Sequence, residues 1–113
     1  MERIYKIMAA GEWAAAKAAG VYKGSSHDRR DGFIHFSTAA QATETAAKHF
    51  ASQTDLVLLT IDPAPLGAAL KWEPSRGGAL FPHLYAPLPA SAVVAEHDLP
   101  LSSDGRHAFP SRF

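Results

Sequence analysis

The chain has 113 residues, of which 47% are apolar and 19% are charged, a composition typical of a folded globular protein. This length fits one domain, which would bury roughly 65% of the surface of the unfolded chain. The 11 basic and 11 acidic side chains cancel, so the chain lacks the overall positive charge that supports most nucleic-acid binding. The absence of cysteine excludes disulfides, thiol chemistry and cysteine–zinc sites.

The sequence also bears on location and domain organisation. No apolar run reaches 18 residues, and the first residues lack the hydrophobic stretch of a signal peptide, so we expect no membrane span and a cytoplasmic protein. There is no repeat and no linker. We therefore expect a single domain over residues 1–113, with a core at about residues 3–99 and a loosely held tail over residues 100–113.

The first third of the chain predicts a strand, a helix and a loop. Residues 3–8 are predicted to form the first strand. Residues 12–19 are rich in alanine, which has the best helix propensity, and Gly20 is a plausible end of this helix. Residues 21–31 contain Gly24, Ser25, Ser26 and Asp28 and are predicted to be a loop.

The next segment predicts a short strand followed directly by a helix. Residues 32–37 form the strand, and Thr38 with Gln41 has the spacing of a capping box at the start of the helix. Glu44 and Lys48 are spaced as a favourable i,i+4 pair. The apolar stripe of this helix is predicted to consist of Ala39, Ala42, Ala46 and Phe50.

The remainder of the chain is rich in strands. Residues 55–62 are apolar on both faces and predict a central, covered strand, while residues 70–73 and 92–99 predict two further strands. Residues 81–88 are expected to be extended or edge-like because prolines lie in and beside them. Two main helices among five or six strands predict a compact α+β domain with small mixed or antiparallel sheets.

His35 and Ser37 are the first candidate site residues. Because alternate side chains of a strand share a face and lie about 7 Å apart, Phe33, His35 and Ser37 should point the same way. An imidazole and a hydroxyl would then lie together where a strand meets the start of a helix, a place suited to a ribose or a phosphate. The alternative is that His35 hydrogen-bonds a neighbouring strand and Ser37 assists the helix cap.

A second group of candidates lies near residue 80. In an extended segment Phe81, His83 and Tyr85 share a face and make a wall that could stack on a planar ring. The alternative is an aromatic edge packed on the core. Glu73 could stabilise positive charge or act as a general base, or it could be an ordinary surface charge.

Metal binding and triad chemistry have less support in the sequence. None of the six histidines has the HxH, HxxxH or HExxH spacing of metal ligands, so no metal ion is expected. Ser26, His27 and Asp28 are residue types found in catalytic triads, but neighbours in a loop do not make a triad.

Several of these segments together resemble the bacterial family called domain of unknown function 952. The resemblance covers about residues 3–99 and is most specific in the combination of GFIHxS, over residues 32–37, with FPHxY, over residues 81–85. Further matching positions are Ile4, Tyr5, Lys6, Ile7, Trp13, Ser26, Asp31, Thr38, Gln41, Asp55, Leu56, Val57, Leu58, Leu59, Asp62, Trp72, Glu73, Pro87, Leu88 and Val93.

This family is similar, more remotely, to the ADP-ribosyltransferase fold, a compact α+β domain that holds NAD between two small sheets. The resemblance implies that His35 and Ser37 form the first element of such a site, that Tyr85 stacks on nicotinamide and that Glu73 orients a ribose hydroxyl. In those enzymes the tyrosine precedes the glutamate, whereas here Glu73 precedes Tyr85.

The resemblance therefore implies catalytic roles for His35, Ser37 and Glu73, with NAD as the cofactor. It implies that the cofactor-binding residues are Ser26, Thr38, His83 and Tyr85.

Three functions remain open at this point. The first is an NAD-dependent ADP-ribosyl or related transferase, and the second is a non-catalytic domain that binds a nucleotide or another small metabolite. The third is a structural or partner-binding module with residues 81–88 as an exposed edge. We expect a monomer or weak dimer with a small-molecule ligand and no nucleic-acid or membrane partner.

Overall fold

The computed structural model describes residues 2–111 and 113. Its strands are β1 (Ile4–Ala9), β2 (Val21–Tyr22), β3 (Ile34–His35), β4 (Leu56–Ile61), β5 (Leu70–Pro74), β6 (Leu80–Leu84), β7 (Leu88–Pro89) and β8 (Val93–Asp98). Its α-helices are α1 (Ala10–Ala19), α2 (Ser26–Asp31) and α3 (Ala39–His49). Short 3-10 helices cover Ala64–Ala69, Arg76–Gly78 and Ala90–Ala92. The α+β class is confirmed.

The largest sheet is antiparallel and has the order β1-β4-β8. Its middle strand, β4, is the apolar run predicted to be central, and all of its residues are buried. The reason is that both faces of this sheet are covered. On one face, Val57, Leu59 and Ile61 of β4 belong to one core cluster. On the other face, Leu56 and Leu58 of β4 belong to a second cluster.

A second antiparallel sheet has the order β3-β6-β5. The first half of residues 81–88 is extended, as predicted, but β6 lies in the middle of this sheet, so the edge-like alternative is wrong there. Pro82 has no N–H to donate, but it is tolerated in this central strand because the β3 ladder pairs only with Leu84 and His83 and ends before Pro82. Beyond that ladder, Pro82 still accepts a hydrogen bond from Phe36 N, at 3.0 Å, through its carbonyl.

The predicted loop over residues 21–31 is the main error in the secondary structure. It contains β2, which pairs with β7, and the six-residue helix α2. The pairing of β2 depends on residues 66 and 68 positions away, which a local pattern does not reveal. The helix is stabilised by a capping box between Ser25 and Asp28, whose spacing is visible in the sequence.

The two longer helices follow their sequence signals closely. Helix α1 ends at Gly20, whose φ of 82° is left-handed, and α3 begins with the predicted capping box of Thr38 and Gln41. The Glu44–Lys48 ion pair forms at 3.5 Å. In the predicted apolar stripe Ala42 and Ala46 are buried, whereas Ala39 is exposed because it occupies the first turn, at the edge of the contact.

The strand predicted over residues 32–37 is shorter than expected. Only Ile34 and His35 form a ladder, while Ser37 makes a separate backbone bridge to Tyr5 of β1. The two residues of this bridge exchange N–H···O hydrogen bonds of 2.8 Å in both directions. This bridge joins the two three-stranded sheets and leaves a hollow beside them.

The C-terminal segment packs on the outer face of the largest sheet. Phe109 and Phe113 contact the cluster that contains Tyr5 and Leu99, and the rings of Phe113 and Tyr5 meet edge to face at 5.2 Å. None of the helices among residues 2–111 is both long and apolar enough to cross a bilayer.

Candidate functional site

The short helix α2 places a carboxylate beneath β3. Ser25 Oγ accepts a hydrogen bond from Asp28 N at 3.1 Å, and Asp28 Oδ2 accepts one from Ser25 N at 2.9 Å. This reciprocal cap turns the Asp28 side chain inward, where only 3% of it is exposed. The helix then ends at Gly32, and the chain returns as β3 directly over Asp28.

Asp28 binds both the backbone and the ring of His35. Its Oδ1 accepts hydrogen bonds from His35 Nδ1 at 2.6 Å and from His35 N at 3.2 Å, and its Oδ2 lies 3.3 Å from Lys6 Nζ. Burial by itself would raise the pKa of Asp28, but the His35 hydrogen bond, the Lys6 charge and the backbone N–H donors together hold that pKa well below its usual range. Asp28 is therefore ionised near neutral pH and fixes the orientation of the imidazole.

Lys6 reaches this carboxylate from β1. Lys6 is only 9% exposed, and its Nζ also donates to the His35 carbonyl at 2.8 Å. Burial lowers the pKa of Lys6, while the Asp28 charge opposes that shift. The ammonium lies 5.8 Å from the centre of the Tyr22 ring and 5.7 Å from that of Phe36, distances suited to cation–π attraction.

The outer nitrogen of His35 faces a second carboxylate. His35 Nε2 lies 2.9 Å from Asp31 Oδ2, and the His35 side chain is 27% exposed. His27 lies one turn before Asp31 in α2, and its Nε2 is 3.6 Å from the same Asp31 oxygen. The His27 and His35 rings lie 4.6 Å apart, so two imidazoles converge on one carboxylate.

Aromatic rings surround the His35 imidazole on its other side. Phe33 stacks on His83 with ring centres 4.0 Å apart and an interplanar angle of 20°. Phe33 also lies 4.6 Å from the His35 ring and 5.3 Å from the Tyr85 ring, and the His35 and His83 rings are 5.6 Å apart. The predicted candidates His35, His83 and Tyr85 are therefore brought together around Phe33.

Glu73 joins this group because β5 and β6 are paired. Its Oε1 accepts hydrogen bonds from Tyr85 OH at 2.7 Å and from His83 Nδ1 at 2.8 Å. These two donors lower the pKa of Glu73, and the same contact raises the pKa of Tyr85. The carboxylate is thus ionised at neutral pH and held beside His83, which lines the cavity, whereas Glu73 and Tyr85 are not among the lining residues that the structure describes.

The three hydroxyl residues have different surroundings. Ser37 is buried, and its Oγ lies 2.9 Å from Thr45 Oγ1 of α3. Ser26, at the start of α2, faces the cavity. Thr38 is used by its own helix cap and, among the residues that the structure describes, is not part of the cavity wall.

A cavity of about 380 Å³ lies between these elements. Such a volume is within the range of small-molecule sites. Four elements, α2, β3, α3 and β6, each contribute one histidine to its wall, together with aromatic rings and the Lys6–Asp28 pair. The lining residues include Tyr5, Lys6, Ile7, Ser26, His27, Asp28, His35, Ser37, His49, Phe81 and His83.

Sequence reasoning missed several members of this site. Asp28 and His27 lay in the predicted loop, and Lys6 was counted only as a strand residue. The Ser25–Asp28 capping spacing was the available signal for Asp28, since it predicts a helix start. No local pattern indicates that Lys6 meets Asp28, because the two lie 22 positions apart in the sequence.

The fold and site define an antiparallel α+β domain with a histidine-lined cavity between two sheets. Residues 7–96 match the family described as protein of unknown function DUF952, and the chain belongs to that family. No curated protein matches the chain.

Two solved structures of protein CC0527 from Caulobacter crescentus are similar to this chain. The crystal structure has a TM-score of 0.90 and 57% sequence identity over 94% of this chain and 93% of that one. The solution NMR structure has a TM-score of 0.84 and 57% identity over 94% and 91% of the two chains.

Proposed function

We propose that the protein binds a nucleotide-like small molecule in the cavity at His35, with NAD as the first ligand to test. The observation that supports this most strongly is that His35 and His83 both line a cavity of about 380 Å³, with Phe33 stacked on His83. A nucleotide needs both a surface for its planar ring and partners for its ribose hydroxyls. The Phe81 and His83 rings in the cavity wall supply the first, and the His27 and His35 imidazoles with Ser26 supply the second.

Preorganisation also supports a binding role. The His35 ring is held by Asp28, which is itself fixed by the α2 cap and by Lys6. A side chain held in this way loses little freedom when a ligand arrives, so more of each contact appears as affinity. A histidine serving only to pack the core would not need a buried ion pair behind it.

The test is a titration of the full chain with NAD, followed by backbone amide and histidine NMR shifts. We expect the resonances of residues 33–37 and 81–85 to move and the melting temperature to rise, since a ligand at 100 times its Kd stabilises by about 2.7 kcal/mol. His35→Ala should abolish both effects, whereas His107→Ala, in the C-terminal segment, should preserve them. If millimolar NAD moves no resonance near His35, the NAD proposal is wrong.

A second candidate function is transfer of ADP-ribose or a related group from NAD. The Glu73 carboxylate favours it, because it lies beside His83 and Tyr85 at the rim of the His35 group. Although Glu73 precedes Tyr85 in the chain, antiparallel pairing of β5 with β6 brings the two side chains into contact. An ionised carboxylate there would stabilise the positive charge that develops on the ribose as nicotinamide leaves.

This candidate predicts release of nicotinamide, which mass spectrometry detects directly. We expect Glu73→Gln to slow that release by about 100-fold or more while NAD binding persists. Glu44→Gln, a change on the exposed face of α3, is the matched control and should have no effect. Binding without product in the wild-type protein would favour the non-catalytic function instead.

A further inference from the structure

The cluster of His27, Asp31 and His35 at the mouth of the cavity brings three potential metal ligands together. One ligand atom from each residue lies within 4.8 Å of the other two. Asp31 Oδ2 is 2.9 Å from His35 Nε2 and 3.6 Å from His27 Nε2. An ion bound at about 2.1 Å in tetrahedral geometry holds its ligand atoms roughly 3.4 Å apart, close to both distances.

The hydrogen-bond contacts of His35 add a second geometric argument. Its Nδ1 lies 2.6 Å from the buried Asp28 carboxylate and therefore carries a proton. In a neutral imidazole, Nε2 is then an unprotonated acceptor that faces another acceptor, Asp31 Oδ2. Two acceptors at this separation repel each other unless a cation, either a second proton or a metal ion, lies between them.

The buried Asp28 is also the partner that a metal-bound histidine requires. Metal-ligating histidines almost always donate their other N–H to a carboxylate or carbonyl, which fixes the ring and makes the free nitrogen more basic. Asp28 provides this contact from a side chain that is only 3% exposed. The prospective ligands, in contrast, are 27–52% exposed, which leaves an entry path for an ion.

We propose that His27, Asp31 and His35 bind a divalent transition-metal ion of the zinc type. Two imidazoles and one carboxylate form a three-ligand set that leaves a fourth position for water or a ligand. Because His27 and His35 also line the cavity, that position borders the cavity. The proposal goes beyond nucleotide binding, with which it shares His35, and it does not depend on it.

Arg30 is the residue that opposes the ion. Its Nη2 group donates to His27 Nδ1 at 2.5 Å, which leaves the proton of a neutral His27 on Nε2, and its Nε lies 3.7 Å from Asp31 Oδ1. Metal binding through His27 Nε2 therefore requires the Arg30 contact to break and the proton to move to Nδ1. The side chain is 71% exposed and can rotate into water at little cost. Arg30→Gln should therefore bind the ion at least as tightly as the wild-type chain.

The test is a calorimetric titration of the metal-free full chain with Zn²⁺, with Co²⁺ as a spectroscopic probe of coordination. We expect one ion per chain and visible Co²⁺ absorption typical of four or five ligands. Asp31→Asn and His27→Ala should each weaken Zn²⁺ affinity by more than the 10–100-fold typical of losing an outer-shell contact. Both residues are partly exposed, so both variants should fold, which circular dichroism checks.

His107→Ala is the matched control and should bind Zn²⁺ as the wild-type chain does. Absence of binding at 100 µM Zn²⁺ (a chosen upper limit), or binding unchanged in both Asp31→Asn and His27→Ala, would overturn the proposal. Repeating the NAD titration with a chelator separates the two proposals. NAD shifts that survive chelation with no Zn²⁺ binding reject only the metal site, while Zn²⁺ binding without NAD shifts rejects only the nucleotide site.

Discussion

Lys6 and Asp28 form an ion pair with little access to water, and their side chains are 9% and 3% exposed. Each charge compensates for the desolvation of the other, so removal of one partner leaves an uncompensated buried charge. The pair also orients His35 through both its carbonyl and its ring. The position of His35 therefore depends on two charged residues that are far apart in the sequence.

Single changes in this pair should destabilise the protein strongly. We expect Lys6→Met and Asp28→Asn each to lower the free energy of unfolding by about 3–5 kcal/mol, and the double variant to lose less than their sum. Chemical denaturation of the four proteins measures this coupling. Lys48→Met breaks the exposed pair with Glu44 and should change stability by no more than about 0.5 kcal/mol. Fully additive losses at Lys6 and Asp28 would contradict the ion pair.

The lowered pKa of Asp28 predicts a specific acid sensitivity. A carboxyl whose folded pKa is below its unfolded value of about 3.9 stabilises the fold fully above that value, and the stabilisation is lost as pH falls toward the folded pKa. The stability difference between wild type and Asp28→Asn should therefore be largest near pH 6 and smaller at pH 3. Denaturation curves at both values test this. An equal difference at both would show that the pKa of Asp28 is not shifted.

The sequence allowed prediction of part of the site only. His35, Ser37 and His83 were identifiable because strand alternation reveals polar residues on one face, and all three line the cavity. Lys6 and Asp28 were not, because a buried ion pair joins side chains from different elements and has no local period. Glu73 and Tyr85 were named as candidates, but their contact depends on strand pairing between β5 and β6.

At the scale of elements, the segment that turns into α2 controls the position of Asp28. Gly24 precedes the cap with a φ of 101°, and a Cβ built there would lie 3.0 Å from Asp28 Cβ. This position therefore excludes larger residues both by backbone conformation and by lack of space. The turn and the capping box together set the depth of the carboxylate.

Gly24→Ala should cost more stability than Gly20→Ala. Both glycines have positive φ, so each substitution brings backbone strain of about 1–3 kcal/mol, but no atom lies within 4 Å of a Cβ at Gly20. The extra contact at Gly24 should add to the loss and shift the His35 ring resonances. Equal losses, with His35 resonances unchanged, would contradict the close approach of Gly24 to Asp28.

Secondary structure was predictable where local rules decide it. The α3 capping box, the end of α1 at Gly20 and the buried strand β4 all follow from residues within one element. Strand β2 and the central position of β6 were missed because both depend on partners distant in the chain. The short helix α2 was missed because its Gly- and Ser-rich surroundings outweighed its cap.

At the scale of the whole molecule, the C-terminal segment completes the second core cluster. Phe109 and Phe113 pack against a cluster that includes Tyr5, Ile7 and Leu58, on the face of the largest sheet opposite α1. Tyr5 and Ile7 also line the cavity. The terminal aromatic residues therefore pack on a cluster that includes two residues of the cavity wall.

Phe109→Ala should lower the free energy of unfolding by about 1–2 kcal/mol, because the ring is partly buried. Urea denaturation measures the change. Leu80→Ala, at a residue that is 52% exposed, should have an effect within about 0.5 kcal/mol. If the two variants are equally stable, the C-terminal segment is as loosely held as the sequence suggested.

The backbone bridge between Tyr5 and Ser37 has a consequence for dynamics. Both residues border the cavity, and their paired amides are where the two larger sheets are joined. Widening the cavity would stretch these two hydrogen bonds, and filling it would hold them closed. Deuterium uptake at the Tyr5 and Ser37 amides should therefore slow when any guest molecule is bound, so exchange rates at these two positions can reveal occupancy before the guest has been identified.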